Sequence, residues 1–197
     1  MTKPRLLVHV CCAPDALYVF GLLAPDYDVT GFFSNSNIQP REEYELRLDE
    51  ARRVARRAGL PLLEDDYDPD GWTALTAGFK AEPEKGRRCD VCYASRLSRT
   101  AVRAARDGFD AFTTVMSLSP WKKAAVLNRM GRQFAARHGL TYLEADFKKK
   151  DGFKKSCELS RAAGLYRQDY CGCVYSREAA REREAARLAR ERAREGE

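Results

Sequence analysis

The hydrophobic positions of the chain fall into five short runs, separated by amphipathic segments. Each run is rich in Val, Leu, Phe or Thr and is bounded by turn-forming residues, a pattern that predicts β-strands. Strands that alternate with helices predict a parallel sheet with crossover helices, which is an α/β fold. The runs are RLLVHV (5–10), DVTGFFS (28–34), LPLLEDDY (60–67), FDAFTTVMSLS (109–119) and LTYLEADF (140–147).

The composition changes after residue 176. The last segment is nearly all Ala, Arg and Glu, with Leu188 as its one large apolar residue. This pattern favours a solvated helix or a frayed tail, stabilised by Glu and Arg pairs four residues apart. We therefore expect a single α/β metal-binding domain over 1–176 and an Arg/Glu/Ala-rich helix or tail over 177–197.

Composition and charge narrow the function classes. No stretch approaches the roughly 20 apolar residues of a membrane span, and the N-terminus runs into the first strand without a signal pattern, so we expect a cytoplasmic protein. The net charge of +6 and the pI near 9.0 favour an acidic partner. Nucleic acid is the commonest such partner for a cytoplasmic chain.

The seven cysteines say more about function than the net charge does. In a reducing compartment they favour metal binding or redox chemistry over disulfides. Six of them form a C-C, a C-x-x-C and a C-x-C motif, while Cys157 stands apart in a helical pattern. Six thiolates exceed the four that one zinc or one cluster takes, so either some are spare or two centres exist. The candidate metal ligands are Cys11, Cys12, Asp15, Cys89, Cys92, Cys171 and Cys173.

The first motif lies where a binding crevice is expected. In open α/β sheets ligands bind outside the carboxyl ends of the strands, and Cys11, Cys12 and Asp15 directly follow the first strand. Adjacent residues of an extended segment point to opposite sides, so Cys11 and Cys12 could serve two different centres. Other polar residues follow the later strands: Ser34 to Asn37, Asp65, Asp66, Tyr67, Ser117, Ser119 and Lys122.

Several segments together resemble a known family, the cobalamin-independent epoxyqueuosine reductases of the QueH type. The resemblance rests on HVCCAPD, FFSNSNIQPREEYELRLDEARRVA, RCDVCYASRL, TTVMSLSPWKK and KKSCELSRAAGLYRQDYCGCVYS, in that order, over about residues 5–176. It implies a Rossmann-like α/β fold with a C-terminal helical segment that bears cysteines. It also implies a 4Fe-4S cluster with an additional iron beside it.

The resemblance further implies the reaction, which is reduction of epoxyqueuosine to queuosine at the wobble base of tRNA, with an external electron donor. A low-potential cluster held by thiolates supplies the electrons, and a harder carboxylate suits a site that holds an iron loosely. On this basis we assign Cys12 and Asp15 to catalysis. The division of the six cysteines between cluster and iron stays open. Basic residues near the strand ends are the candidates for binding tRNA: Arg41, Lys122, Lys148, Lys149, Lys150 and Lys154.

Two other function classes remain open. The cysteine pairs also fit a zinc-stabilised tRNA-binding module without redox chemistry. A cluster-dependent tRNA thiolation enzyme of the nucleotide-activating α/β class is the second alternative. That class is expected to carry a phosphate loop after the first strand, and the chain contains neither a Walker A sequence nor G-x-G-x-x-G.

Overall fold

The computed structural model describes residues 2–195 and shows a parallel five-stranded sheet. The strands lie in the order β3-β2-β1-β4-β5, so β1 is central and the connections reverse direction after β3. This confirms the predicted α/β class with crossover helices. The strands are β1 (Arg5–Val10), β2 (Asp28–Phe33), β3 (Leu62–Glu64), β4 (Ala111–Thr114) and β5 (Thr141–Tyr142).

Helices cover both faces of the sheet. The helix α1 packs against α2 and α6, whereas α4 packs against α5, because right-handed crossovers on the two sides of β1 lie on opposite faces. None of the described helices has the length and apolar character needed to cross a membrane. The helices are α1 (Ala13–Leu23), α2 (Arg41–Ala58), α3 (Pro69–Thr76), α4 (Arg87–Arg106), α5 (Ala124–His138), α6 (Gly152–Ala162) and α7 (Val174–Glu195).

The last two strands are shorter than their hydrophobic runs. The run 109–119 forms a strand only as far as Thr114 and continues as a buried 3-10 turn over Val115–Leu118. A buried turn carries the same apolar residues as a buried strand, so the pattern could not separate them. The run 140–147 pairs only through Thr141 and Tyr142.

The helix ends follow the sequence closely. Gly59 and Gly139 close α2 and α5 in the left-handed conformation, with φ of 68° and 66°, which a glycine adopts without a side-chain penalty. The described part of the Ala/Arg/Glu segment, residues 177–195, lies within α7, which begins at Val174 and therefore includes residues before the composition change. The last two residues of the 177–197 segment lie outside the described part of the chain, and its separation as a unit stays a prediction.

Gly131 sets how closely α5 lies on the sheet. A Cβ at this position would lie 2.3 Å from the Tyr142 ring. We expect Gly131→Ala to lower the free energy of unfolding by about 1–3 kcal/mol, as overpacking does, measured by urea unfolding. The matched control is Gly21→Ala in α1, where a Cβ would meet nothing within 4 Å and should stabilise by about 0.5–1 kcal/mol. Equal stability changes in the two variants would contradict this packing account.

Candidate metal centre

The candidate site lies at the carboxyl ends of β1 and β4, where the strand order reverses direction. This position is the usual ligand crevice of an open α/β sheet. Cys11 and Cys12 directly follow β1, and the 3-10 turn and the loop 119–123 follow β4. The strand pattern alone therefore places the first cysteine motif correctly.

Cys11, Cys12 and Asp15 form one compact group, called here the Cys11 group. Their ligand atoms all lie within 4.8 Å of one another. Cys12 is the N-cap of α1, and Asp15 lies in the first turn. The two cysteines are buried, and Asp15 is 9% exposed. Two sulfur atoms and a carboxylate at this spacing are a suitable donor set for one metal ion.

Hydrogen bonding and burial set the charges of this group. The Cys12 side chain hydrogen-bonds to Cys11 and lowers the pKa of Cys11 to about 5. The same bond, together with burial, raises the pKa of Cys12. Burial and then the negative charge of Cys11 raise the pKa of Asp15 to about 7. The group therefore holds one thiolate readily and resists a second negative charge.

The C-x-x-C motif lies at the start of α4. Cys89 is in the first turn and Cys92 follows one turn later, so both project from the same helix face. The backbone N–H of Lys85 donates to Cys89 Sγ at 3.3 Å. Burial raises the pKa of Cys92 to about 11 and raises that of Cys89. Neither thiol gives up its proton easily without a cation or a metal.

The C-x-C motif reaches the same region from the other end of the chain. The negative charges of Cys171 and Cys173 add to the effect of burial in raising the pKa of Cys89 and Cys92, so the two motifs lie in the same region. These four residues are called here the four-cysteine group. The backbone N–H of Ser176 donates to Cys173 Sγ at 3.4 Å.

Gly172 and Arg47 hold the C-x-C segment in place. Gly172 has φ of 130°, and a Cβ there would lie 2.9 Å from Ile38, so the position requires glycine. Arg47 in α2 is 2% exposed. Its guanidinium donates to the carbonyl oxygens of Cys171 and Tyr170 at 3.0 and 3.2 Å. Glu43 balances its charge at 2.6 Å.

Three helices begin at this site. Cys12 caps α1, Cys89 lies in the first turn of α4, and Cys173 directly precedes α7. Helix N-termini carry free N–H groups and the positive end of the helix dipole, and both favour thiolates. The backbone thus contributes positive potential at each cysteine motif.

Arg96 is the site residue that the sequence analysis missed. It is 4% exposed, and its guanidinium faces Cys92, Cys11 and Cys171. Burial opposes the charge of Arg96, but the three thiols outweigh that effect and raise its pKa. Arg96 follows Cys89 and Cys92 at the spacing i+7 and i+4, and this shared helix face is the signal that could have identified it.

A polar network fixes Arg96 to the strands. Its Nη2 donates to Asn35 Oδ1 at 2.7 Å, and Asn35 Nδ2 donates to the Val10 carbonyl at 2.8 Å. Its Nε donates to His9 Nε2 at 3.3 Å. His9 Nδ1 lies 2.9 Å from Thr114 Oγ1, and its Nε2 also lies 3.2 Å from the Ser34 carbonyl oxygen. Burial and Arg96 lower the pKa of His9, so His9 is neutral and positions Arg96.

Lys122, in the loop after β4, is the second cation that interacts with the thiols. Burial disfavours its charge, but Cys171, Cys11 and Asp15 outweigh burial and raise its pKa. The ammonium of Lys122 interacts with Cys171, Cys11 and Asp15, and its contact with tRNA stays a prediction. It acts here as a fixed counterion that the Cys11 group and Cys171 share.

Comparison with known proteins identifies the family. The model of the family "Epoxyqueuosine reductase QueH" matches residues 6–179. The chain belongs to the epoxyqueuosine reductase QueH family. The Streptococcus pyogenes epoxyqueuosine reductase QueH is 37% identical over 180 residues, covering 88% of this chain and 71% of the relative. The Thermotoga maritima epoxyqueuosine reductase QueH is 33% identical over 183 residues, covering 91% and 94%.

A solved structure shares the fold of this QueH family member. It is a predicted subunit of a tRNA methyltransferase from Methanocaldococcus jannaschii, with a TM-score of 0.54 at 14% identity. The alignment covers 80% of this chain and 76% of that chain. At this identity the likeness supports the α/β architecture alone.

A polar cavity opens beside the four-cysteine group of this QueH family member. Its volume is about 230 Å³. Trp72 lines it, and its indole N–H lies beside Cys92 and lowers the pKa of that thiol against the effect of burial. The cavity is lined by Ser34, Ser36, Asp68, Gly71, Trp72, Leu75, Ser95, Arg96 and Arg99.

The remaining predicted tRNA-binding residues lie apart from the thiols. Arg41 is exposed at the start of α2, over the Tyr67 ring at 4.8 Å. Lys148 pairs with Asp146 at 2.6 Å, while Lys149, Lys150 and Lys154 are exposed around the start of α6. Their contact with tRNA stays a prediction.

Cys157 also lies outside both cysteine groups, on α6, where Arg167 donates to its sulfur at 3.2 Å.

Asp65 ties α4 to the sheet beside the cavity. Arg99 of α4 and Ser34, which follows β2, both donate to Asp65 Oδ2. Burial acts against the carboxylate, but these hydrogen bonds outweigh it and lower the pKa of Asp65. The ionised form is therefore stabilised in the folded state. This contribution is present above the unfolded pKa of about 4 and is lost as pH falls through the lower folded-state pKa.

We expect Asp65→Asn to lower the free energy of unfolding by about 1 kcal/mol at pH 7, since the pair is partly solvated. The difference from the wild type should shrink as pH falls below roughly 4. Urea unfolding at pH 7, 5 and 3 measures it, with the exposed Asp26→Asn as control. A loss that is constant over this pH range would mean that the charge of Asp65 does not act through Arg99.

Proposed function

We propose that this protein is an iron-sulfur enzyme that reduces epoxyqueuosine to queuosine in tRNA. Family membership supports the reaction. The single observation that carries the metal assignment is the Cys11 group, whose three ligand atoms lie within 4.8 Å of one another. The four other cysteines lie near enough to interact with it through the shared counterions Arg96 and Lys122. The two groups fit two metal centres of different ligand chemistry.

The four-cysteine group fits a 4Fe-4S cluster, which takes four thiolates. The Cys11 group fits the additional iron, since it combines sulfur with a harder carboxylate. Buried polar atoms around the site support a bound group there. Arg88 Nε and Gln168 Oε1 have no hydrogen-bond partner within residues 2–195. Buried groups of this kind normally have partners.

The reaction removes an epoxide oxygen and leaves an alkene. It consumes two electrons and two protons, and the oxygen leaves as water. The bound metals would supply the electrons and a Lewis acid for that oxygen. Cys12 and Asp15 lie in the Cys11 group, which is why we assign them to catalysis. The external electron donor and the cytoplasmic location are part of this proposal.

Residues outside the two cysteine groups would stabilise the charge of the site and bind the substrate. Arg96 and Lys122 compensate negative charge in a buried place, where an isolated anion is costly. The polar cavity beside Cys92 is open to solvent through α3 and α4 residues and suits the modified base of the substrate. Exposed cations such as Arg41 and Lys149 would contact tRNA phosphates. Such contacts are individually weak and sensitive to salt.

Metal analysis tests the two-centre assignment. We expect anaerobically prepared protein to contain about five irons per four labile sulfides, with broad visible absorption. Cys89→Ala should lose the cluster absorption and most of the sulfide. The matched control is Cys157→Ser, a cysteine outside both groups, which should keep wild-type metal content. Stoichiometric zinc without sulfide would instead favour the zinc-stabilised tRNA-binding module.

Asp15 tests the role of the second group. We expect Asp15→Asn, which keeps the shape and removes the charge, to lose about one iron per chain and at least ~100-fold of turnover. Cluster absorption and thermal stability should stay near the wild type. The measurements are iron content, the visible spectrum and epoxyqueuosine reduction with a chemical reductant. Full iron content with full turnover would show that Asp15 only stabilises the first turn of α1.

A further inference from the structure

Trp121 is exposed to an unusual degree for a tryptophan. Its exposed fraction is 67%, whereas Trp72, the other tryptophan, is 5% exposed. Tryptophan is a large apolar side chain that is mostly buried in folded domains and is enriched at binding surfaces. The ring makes no contribution to the hydrophobic core. Its position therefore calls for an explanation outside folding.

The loop after β4 places this ring at the rim of the metal centre. The backbone N–H groups of Trp121 and Lys122 donate to Ser119 Oγ and to the Ser119 carbonyl at 3.3 and 3.2 Å. This turn fixes the two neighbouring side chains in different directions. Lys122 points to Cys11 and Asp15, while Trp121 points to solvent. The ring is thus one residue away from a counterion of the site.

Lys85 connects the same ring to the four-cysteine group. Its ammonium lies 4.5 Å from the centroid of the Trp121 ring, and its backbone N–H donates to Cys89 Sγ. Trp121 therefore lies between the segment that leads to Cys89 and the residue that faces Cys11. An exposed ring at this place is accessible to a partner that approaches the two cysteine groups.

We propose that Trp121, with Lys85 beside it, is a stacking platform for an unpaired nucleobase next to the base that is reduced. This proposal rests on the proposed function, since it names the part of the RNA that the rim contacts. Aromatic side chains hold splayed-out RNA bases by stacking, and a cation at the ring adds attraction for the base and the adjacent phosphate. The exposed Lys123 and the net charge of +6 suit the same polyanionic partner.

Binding to a synthetic anticodon stem-loop RNA tests the platform without turnover. We expect Trp121→Ala to weaken binding by roughly 5- to 100-fold, the range for loss of one base stack. Trp121→Phe should recover most of this loss because it keeps an aromatic face, whereas Trp121→Leu should not. Val102→Ala, at an exposed apolar position in the last part of α4, is the control and should bind as the wild type does.

A second RNA, which lacks one base, tests whether Trp121 contacts that base. In a stem-loop with an abasic residue beside the wobble position, Trp121→Ala should cost nothing further, because the stacked base is already absent. Acrylamide quenching provides a direct readout, since Trp121 should become protected when the intact RNA binds. A wild-type affinity in Trp121→Ala, an equal loss with both RNAs, or a ring that stays accessible in the complex would each overturn the platform.

Three further outcomes separate the alternatives. A Trp121→Ala defect that appears only with a protein electron donor, and disappears with dithionite, would assign the ring to donor docking and overturn the proposal. A wild type that binds RNA with the expected Trp121 dependence but does not reduce epoxyqueuosine would leave the platform standing and remove the proposed function. A wild type that reduces the free nucleoside but does not bind the stem-loop would do the reverse.

Discussion

The crowding of like charges is the constraint on which this structure depends. Six thiols and a carboxylate converge at one end of the sheet, mostly buried, and each ionised group makes the next one harder to ionise. Positive charge from Arg96, Lys122 and three helix N-termini compensates this negative charge. Arg47 serves a different purpose, because it binds backbone carbonyls of the C-x-C segment. The positions of α1, α4 and α7 are understandable mainly through this requirement.

Sequence periodicity was sufficient for the sheet and for the place of the first cysteine motif. It failed where a buried segment is not a strand, as at Val115–Leu118, because burial and not strand geometry determines the apolar residues there. It also did not predict the end of β5, because the hydrophobic run continues past Tyr142, the last residue of the strand. A hydrophobic pattern indicates which side chains are buried. It does not indicate which backbone hydrogen bonds form.

The buried arginines were harder to predict than the cysteines. Arg47 lies in α2 among several exposed arginines, and Arg96 follows an ordinary amphipathic pattern in α4. Nothing in the residue type distinguishes a buried guanidinium from a solvated one. The distinction comes from tertiary partners far along the chain, such as Tyr170 for Arg47 and Asn35 for Arg96. Lys122 is a similar case: the sequence analysis assigned it to tRNA binding, which stays a prediction, and did not foresee its interaction with Cys11 and Cys171.

The two arms of the four-cysteine group are held with unequal firmness. The α4 arm is part of a long helix that the Asn35, His9 and Asp65 contacts fasten to three strands. The C-x-C arm is a short non-helical segment, fastened mainly through its backbone to Arg47 and Gln39. Withdrawal of that short arm breaks fewer bonds than displacement of α4. The C-terminal segment is therefore the arm that can separate from the other cysteines with the smaller loss of hydrogen bonds, and its position depends strongly on Arg47.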